Sequence, residues 1–194
     1  MQDGTDERPT SVASGINGRP SWDFDGDDDL LEMDSPPHSG TDGTFSLQIY
    51  PHDVSSEQVF KAFSSTSVTN EYLILGIDAA GKLFVEVNDG GSIDRVTGST
   101  VLTINTPYTV IVNSDGDDWI ISLDGVDETL VETTGSNSGK WVGDLSIDNM
   151  TLGALKHTSA TKYYDGLMAE LIDYEPVLSA SCETRLDNYY DNWY

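Results

Sequence analysis

The chain has 194 residues, enough for one domain with a real core, and it sets 34 acids against nine bases for a net charge of −25. Such a surface is repelled by phosphate backbones and anionic lipid, which argues against nucleic-acid and membrane-surface roles, and no apolar run approaches the roughly 20 residues that span a bilayer. The single cysteine, Cys182, excludes an internal disulfide and any four-cysteine zinc site.

Residues 1–14 are polar and read as an irregular lead-in to one domain over 15–194. They hold neither a basic n-region nor an apolar h-region, so no signal peptide is expected there. Further on, Phe45, Leu47 and Ile49 alternate with Ser46 and Gln48, the pattern of a half-buried strand. Residues 71–77 are a continuous apolar run, and Leu83, Val85 and Val87 alternate with Phe84 and Glu86. A short strand is expected at 101–104. Residues 108–112 and 119–123 flank the polar stretch 113–118 and read as a hairpin. Two more strands are expected, one from Leu145 through Leu152 and one over 167–172. Turn signals every 8–15 residues predict an all-β fold, a two-sheet antiparallel jelly-roll sandwich. Leu178, Cys182, Leu186, Tyr189 and Trp193 recur at helical spacing, so a short C-terminal helix over about 179–192 packs its apolar stripe on the sandwich.

The acidity has three readings. Solubility needs a net charge of magnitude only about 2–8. Adaptation to high salt fits better, because the Debye length falls to about 3 Å at 1 M and self-repulsion is screened. Calcium sites are the third, since they gather carboxylate and carbonyl oxygens.

Three segments resemble, in order and spacing, the laminin G-like domains of the concanavalin A-like jelly-roll superfamily. They are residues 15–30 around Arg19-Pro20 and Phe24-Asp25-Gly26, residues 81–125 ending in Asp124-Gly125, and residues 150–179 around Asp165-Gly166 and Glu170. The resemblance implies that the opening and closing strands are neighbours, with Phe24 and Leu30 near Leu167 and Leu171. It also implies calcium as the candidate cofactor, held by Asp25, Asp27, Asp28 and Asp165. The acidic hairpin at residues 115–118 is a weaker cluster and lacks the closing Glu of an EF-hand.

Catalysis finds little support. Glycoside hydrolysis needs two carboxylates about 5–10 Å apart on one cleft face, and Glu170 and Asp173, three residues apart, point to opposite faces of a regular strand. A lyase needs a Tyr/His pair among bases, and His38, His52 and His157 show no such context in sequence. Asn149-Met150-Thr151 matches a glycosylation acceptor inside an expected strand. The chain is therefore expected to be no enzyme. The leading expectation is a structural or adhesive virion-surface protein (capsid turret, decoration or tail fibre) of a virus with a halophilic host. Its partners would be other virion proteins, further copies of itself and a host-surface glycan or glycoprotein. The alternative is a secreted carbohydrate-binding laminin G-like module, with Trp22, Trp119 and Trp141 as sugar platforms. A glycoside hydrolase or lyase is the lesser alternative.

Overall fold

The computed structural model describes residues 7–179, 181, 182, 185 and 186, which form two facing seven-stranded antiparallel sheets. The first sheet runs, in spatial order, β1 (Thr10–Val12), β2 (Ser21–Asp25), β16 (Asp165–Tyr174), β4 (Gly43–Pro51), β9 (Tyr108–Ser114), β10 (Trp119–Leu123) and β11 (Val126–Asp127). The second runs β12 (Val131–Thr134), β8 (Ser92–Val101), β7 (Lys82–Asp89), β6 (Glu71–Ile77), β5 (Gln58–Ser64), β13 (Asn149–Leu152) and β3 (Leu31–Met33). A small hairpin of β14 (Leu155–Lys156) and β15 (Ala160–Thr161) packs on β5 and β13. This is the expected jelly-roll sandwich.

Period-two alternation builds the core. Phe45, Leu47 and Ile49 of β4 stand opposite Val112, Val110 and Tyr108 of β9, while Leu73, Leu75 and Ile77 of β6 face Val87, Val85 and Leu83 of β7. These inward sets merge into one buried cluster with Phe63, Trp119 and Trp141. Each large apolar side chain so buried contributes roughly 1.5–3 kcal/mol. The opening strand β2 pairs with the closing strand β16, setting Phe24 opposite Gly166 and Asp25 opposite Asp165. The turn after Asp25 needs a glycine: Gly26 has φ +78°, and a Cβ there would lie 2.8 Å from that of Asp165.

The sequence reading misplaces several elements. The strand expected at 101–104 lies upstream as Ser92–Val101, reached from β7 through Gly90-Gly91. Residues 145–148 precede β13 instead of belonging to it, after a 3₁₀ turn at Val142–Asp144. Strand β5 has no counterpart in the reading, although all seven of its residues are buried. Strand β16 is irregular: Ala169 pairs with Gln48 and Ile172 with Ser46, so Glu170 and Leu171 together oppose the single Leu47. This bulge inverts the alternation. Asp173 consequently faces inward opposite Phe45, which overturns the regular-strand premise used for Glu170 and Asp173.

At the C-terminus, Val177 N–H donates to the Asp42 carboxylate and Leu178 N–H to Thr44 Oγ1, tying the segment to β4. Residues 181, 182, 185 and 186 are helical; the rest of the expected helix, with Tyr189 and Trp193, lies outside the described residues. Cys182 is exposed, so it is not the buried member of the apolar stripe that its spacing suggested. No helix among the described residues is long and apolar enough to cross a membrane.

Candidate functional site

The largest continuous polar constellation away from the acidic rim lies on the outer face of the second sheet. Lys162, after β15, pairs with Glu57 Oε1 at 2.7 Å, and Glu57 Oε2 accepts from Arg95 Nη1 at 2.8 Å. Arg95 also donates to Glu86 Oε2 at 3.0 Å, and Glu86 Oε1 accepts from the Tyr72 hydroxyl at 2.7 Å. Five side chains thus form one relay across β5 to β8, and alternation is what puts Tyr72, Glu86 and Arg95 on one face. The guanidinium carbon of Arg95 lies over the Phe84 ring, 3.7 Å from its centroid, a cation–π contact that holds the side chain in place. Burial opposes ionisation of Glu57, but hydrogen bonds from Lys162 and Arg95 outweigh it and hold the carboxyl below its ordinary value. Burial, reinforced by Glu86, pushes the Tyr72 phenol well up.

His157 lies beside this relay, its ring 5.6 Å from that of Tyr72 and its Nδ1 3.0 Å from Ser65 O. A Tyr/His pair beside two bases was invisible in sequence, because the partners are 85 positions apart by number and meet only through the β14–β15 hairpin. Its chemistry is nevertheless poor for proton abstraction. The Tyr72 proton is held by Glu86, and a raised phenol pKa disfavours the anion that a base would need.

The second locus is an acidic groove at the end of the first sheet, lined by Arg8, Thr10, Asp23, Phe24, Asp25, Asp29, His52 and Asp165. Oxygens of Asp25, Asp28 and Asp29 come within 4.8 Å of one another. A single calcium ion with ligands at roughly 2.3–2.6 Å spans that separation. Asp29, part of the acidic cluster in sequence but left out of the expected ligand set, is 5% exposed; burial and then the charges of Asp25, Asp28 and Asp23 raise its pKa against a hydrogen bond from Asp25 N–H. Asp27 does not join the group: it is exposed, and its backbone N–H donates to Asp25 Oδ1. Asp165 sits across the groove, 3.4 Å from His52 Nδ1, and burial raises its pKa with help from Asp53 and Asp23. The donor set therefore fits a hard cation, with Asp29 in the place expected of Asp27.

The three tryptophans separate. Trp119 and Trp141 are each 1% exposed. Trp119 Nε1 donates to Lys140 O at 3.0 Å, and Trp141 stacks on Phe45 with centroids 4.0 Å apart. Both complete the core and present no ring to a ligand, so neither is a sugar platform. Trp22 is 44% exposed, but it shares the face of Phe24 and lines an apolar hollow with few polar neighbours. Asn149 is buried, so its acceptor pattern is not presented to a modifying enzyme. Glu170 is bonded to Arg19 and Asp173 to Lys61, so the two carboxylates hold different cations and share no cleft.

A family model described as the concanavalin A-like lectin/glucanases superfamily matches residues 25–181. The chain belongs to that superfamily, in its laminin G-like branch. Among solved structures, the CBM40 of Ruminococcus gnavus IT-sialidase bound to α2,3-sialyllactose superposes with a TM-score of 0.68 at 14% identity, over 93% of this chain and 96% of that one. Domain 4 of AbnA, a GH43 arabinanase from Geobacillus stearothermophilus in complex with arabinotriose, gives 0.68 at 16% identity, over 92% and 81%. A heptameric SAP-like pentraxin from Limulus polyphemus gives 0.64 at 13%, over 85% and 80%. No curated protein matches the chain in sequence. At these identities the likeness is one of fold.

Proposed function

We propose that this chain is a non-catalytic, extracellular glycan-binding module whose ligand face is the outer-sheet relay of Tyr72, Glu86, Arg95, Glu57 and Lys162. The observation that carries the reading is the Arg95 guanidinium held over Phe84 and hydrogen-bonded to two carboxylates. Sugar hydroxyls are recognised by donors and acceptors whose directions are fixed before binding, and this face supplies both. Two relatives of the same fold are described with oligosaccharides bound, which supports glycan over other ligands. Calorimetry against sialyllactose, arabino-oligosaccharides and a uronate panel tests it. Binding to one class, weakened at least about tenfold in Arg95→Gln, is expected, since a hydrogen bond to a charged group is worth roughly 1.5–3 kcal/mol. No binding across the panel overturns the reading, and unsaturated uronate product would overturn the non-catalytic assignment.

Within the same proposal, calcium is held by Asp25, Asp28 and Asp29, with Asp165 alongside, as a brace between the first and last strands of the first sheet. A second reading sets the module on a virion surface in a high-salt host, and the observation favouring it is the net charge of −25. A steep rise in Tm from about 0.1 M to about 3 M KCl is expected as screening tightens, and a flat curve overturns the high-salt setting. Antibody to this chain should label purified particles, and unlabelled particles overturn the virion setting.

A further inference from the structure

The bulge in β16 and the indole of Trp22 meet at a feature that glycan binding does not use. Where β2 and β16 of the first sheet approach β3 and β13 of the second, the sandwich edge is left open. The resulting hollow of about 170 Å³ is lined by Trp22, Phe24, Leu31, Leu47, Leu152, Met168, Ala169, Glu170 and Leu171. It enters between the sheets, since Phe24, Leu47 and Met168 belong to the buried core. Three observations separate it from an ordinary packing defect. Trp22 and Leu171 remain 44% and 36% exposed at its mouth. The strand that forms its wall is bulged so that two residues oppose Leu47. Glu170, one of those two, is held at φ +52°, a left-handed conformation that side-chain-bearing residues rarely adopt.

We infer that this hollow is a binding site for a small uncharged apolar molecule about the size of a six-membered ring with a short substituent. The volume sets the size: a dry cavity of roughly 150 Å³ takes up benzene. The walls set the chemistry. Glu170 is the one charged side chain on those walls, and its carboxylate is bonded to Arg19; apart from the Trp22 indole N–H the other side chains offer no hydrogen-bonding group. A sugar would leave its hydroxyls without partners, which costs more than the contact returns. An anion is repelled by the chain's charge, and a cation would have to displace Arg19. Trp22 is therefore a hydrophobic lid-side contact, and the site is independent of the Arg95 relay.

The test titrates the full chain, ¹³C-labelled at Leu and Met methyls, with benzene. Saturable shifts confined to Leu31, Leu47, Leu152, Met168 and Leu171 are expected. Trp22→Ala should weaken binding about tenfold, the equivalent of about 1.4 kcal/mol. Leu31→Phe, which fills the hollow from an edge strand, should abolish the shifts, and its own methyl spectrum reports whether it is folded. Absence of saturable shifts up to the solubility limit, or shifts that persist in folded Leu31→Phe, would overturn the assignment. Failure here leaves the oligosaccharide result untouched, because Arg95→Gln alters none of the residues that line the hollow.

Discussion

Strand β16 begins at Asp165 and comes near its end at Asp173, and the two aspartates sit in opposite electrostatic settings. Asp173 turns inward and meets Lys61, whose side chain is 1% exposed, with His38 Nε2 3.5 Å from its other oxygen. The Lys61 ammonium lies 4.4 Å from the Phe45 centroid and 5.0 Å from that of Phe63, so aromatic faces and one carboxylate replace its water. Asp165 turns outward opposite Asp25, with Asp23 and Asp53 nearby, His52 beside it and Arg8 in the same groove. An interior charge persists only with a partner. At the rim, water or a cation does the partner's work, so acids accumulate there without matching bases.

Cutting the interior pair should have the largest effect. Asp173→Asn strips the buried Lys61 of its counter-charge, so the chain must either bury an unpaired ammonium or give up its proton, and a loss of about 3–5 kcal/mol is expected in urea or guanidinium unfolding. The double variant Lys61→Met/Asp173→Leu should recover most of that loss, because replacing a buried pair with apolar groups is close to neutral. A single variant within about 1 kcal/mol of the parent would show that the pair is already solvated in the folded chain.

The same residue explains what was hidden in the sequence. The hydrophobic alternation of β4, β6 and β7 was readable because each inward position is apolar. In β5 the inward row contains Lys61, paired with Leu75, and a register shift between Val59 and Lys61 breaks the period. A buried lysine reads as a surface residue until its partner is known, and that partner lies 112 positions away behind a second bulge. The acidic groove was half legible. The density of aspartates in residues 25–29 marked it, but which of them converge depends on the turn at Gly26. That turn buries Asp29 and turns Asp27 to solvent. The Arg95 relay was not legible at all, since its members are four ordinary charged residues and a tyrosine on five separate segments, and only the fold assembles them.

At the rim, the corresponding intervention is a cation. If calcium binds the folded chain alone, it stabilises by RT ln(1 + [L]/Kd), about 2.7 kcal/mol at a hundredfold excess over Kd. Tm should rise with calcium at constant ionic strength and fall again with chelator. Asp25→Asn should abolish the response and Asp27→Asn should not. Equal Tm in calcium and chelator would leave the groove as a solvated acidic surface.

A pH series separates the two ends more finely. Burial pulls the Lys61 ammonium down to about 8 from 10.5, with Asp173 pulling the other way. Between those values the unfolded chain binds more protons than the folded one, so stability rises with pH, by at most about 1.4 kcal/mol per unit. Tyr72 and Tyr164 act in the opposite sense above pH 10, because burial raises both phenols above their ordinary 10.0 and the folded chain then keeps protons that the unfolded chain loses. The rise should therefore be visible between pH 8 and 10 and vanish in Lys61→Met/Asp173→Leu. A flat parent curve in that window would mean that Lys61 keeps its proton as firmly folded as unfolded.

The smallest effect is also the one that changes sign. Asp29→Asn preserves the acceptor for Asp25 N–H, now bonded at 3.0 Å, while removing one of the crowded charges. In chelator the variant should be more stable than the parent by about 1 kcal/mol, the Coulomb energy of one pair of unit charges about 4 Å apart in water. In saturating calcium it should be less stable, because a ligand is gone. The raised pKa values of Asp29 and Asp165 add a second signature. A carboxyl whose folded pKa exceeds its unfolded 3.8 gains stability as pH falls through the folded value, so the parent should close the gap on Asp29→Asn as chelated samples are acidified towards pH 4. Parent and variant curves that stay parallel in calcium, in chelator and across this pH range would mean that Asp29 binds protons alike in the folded and unfolded chain and ligates no cation, and the groove would then be an ordinary solvated surface.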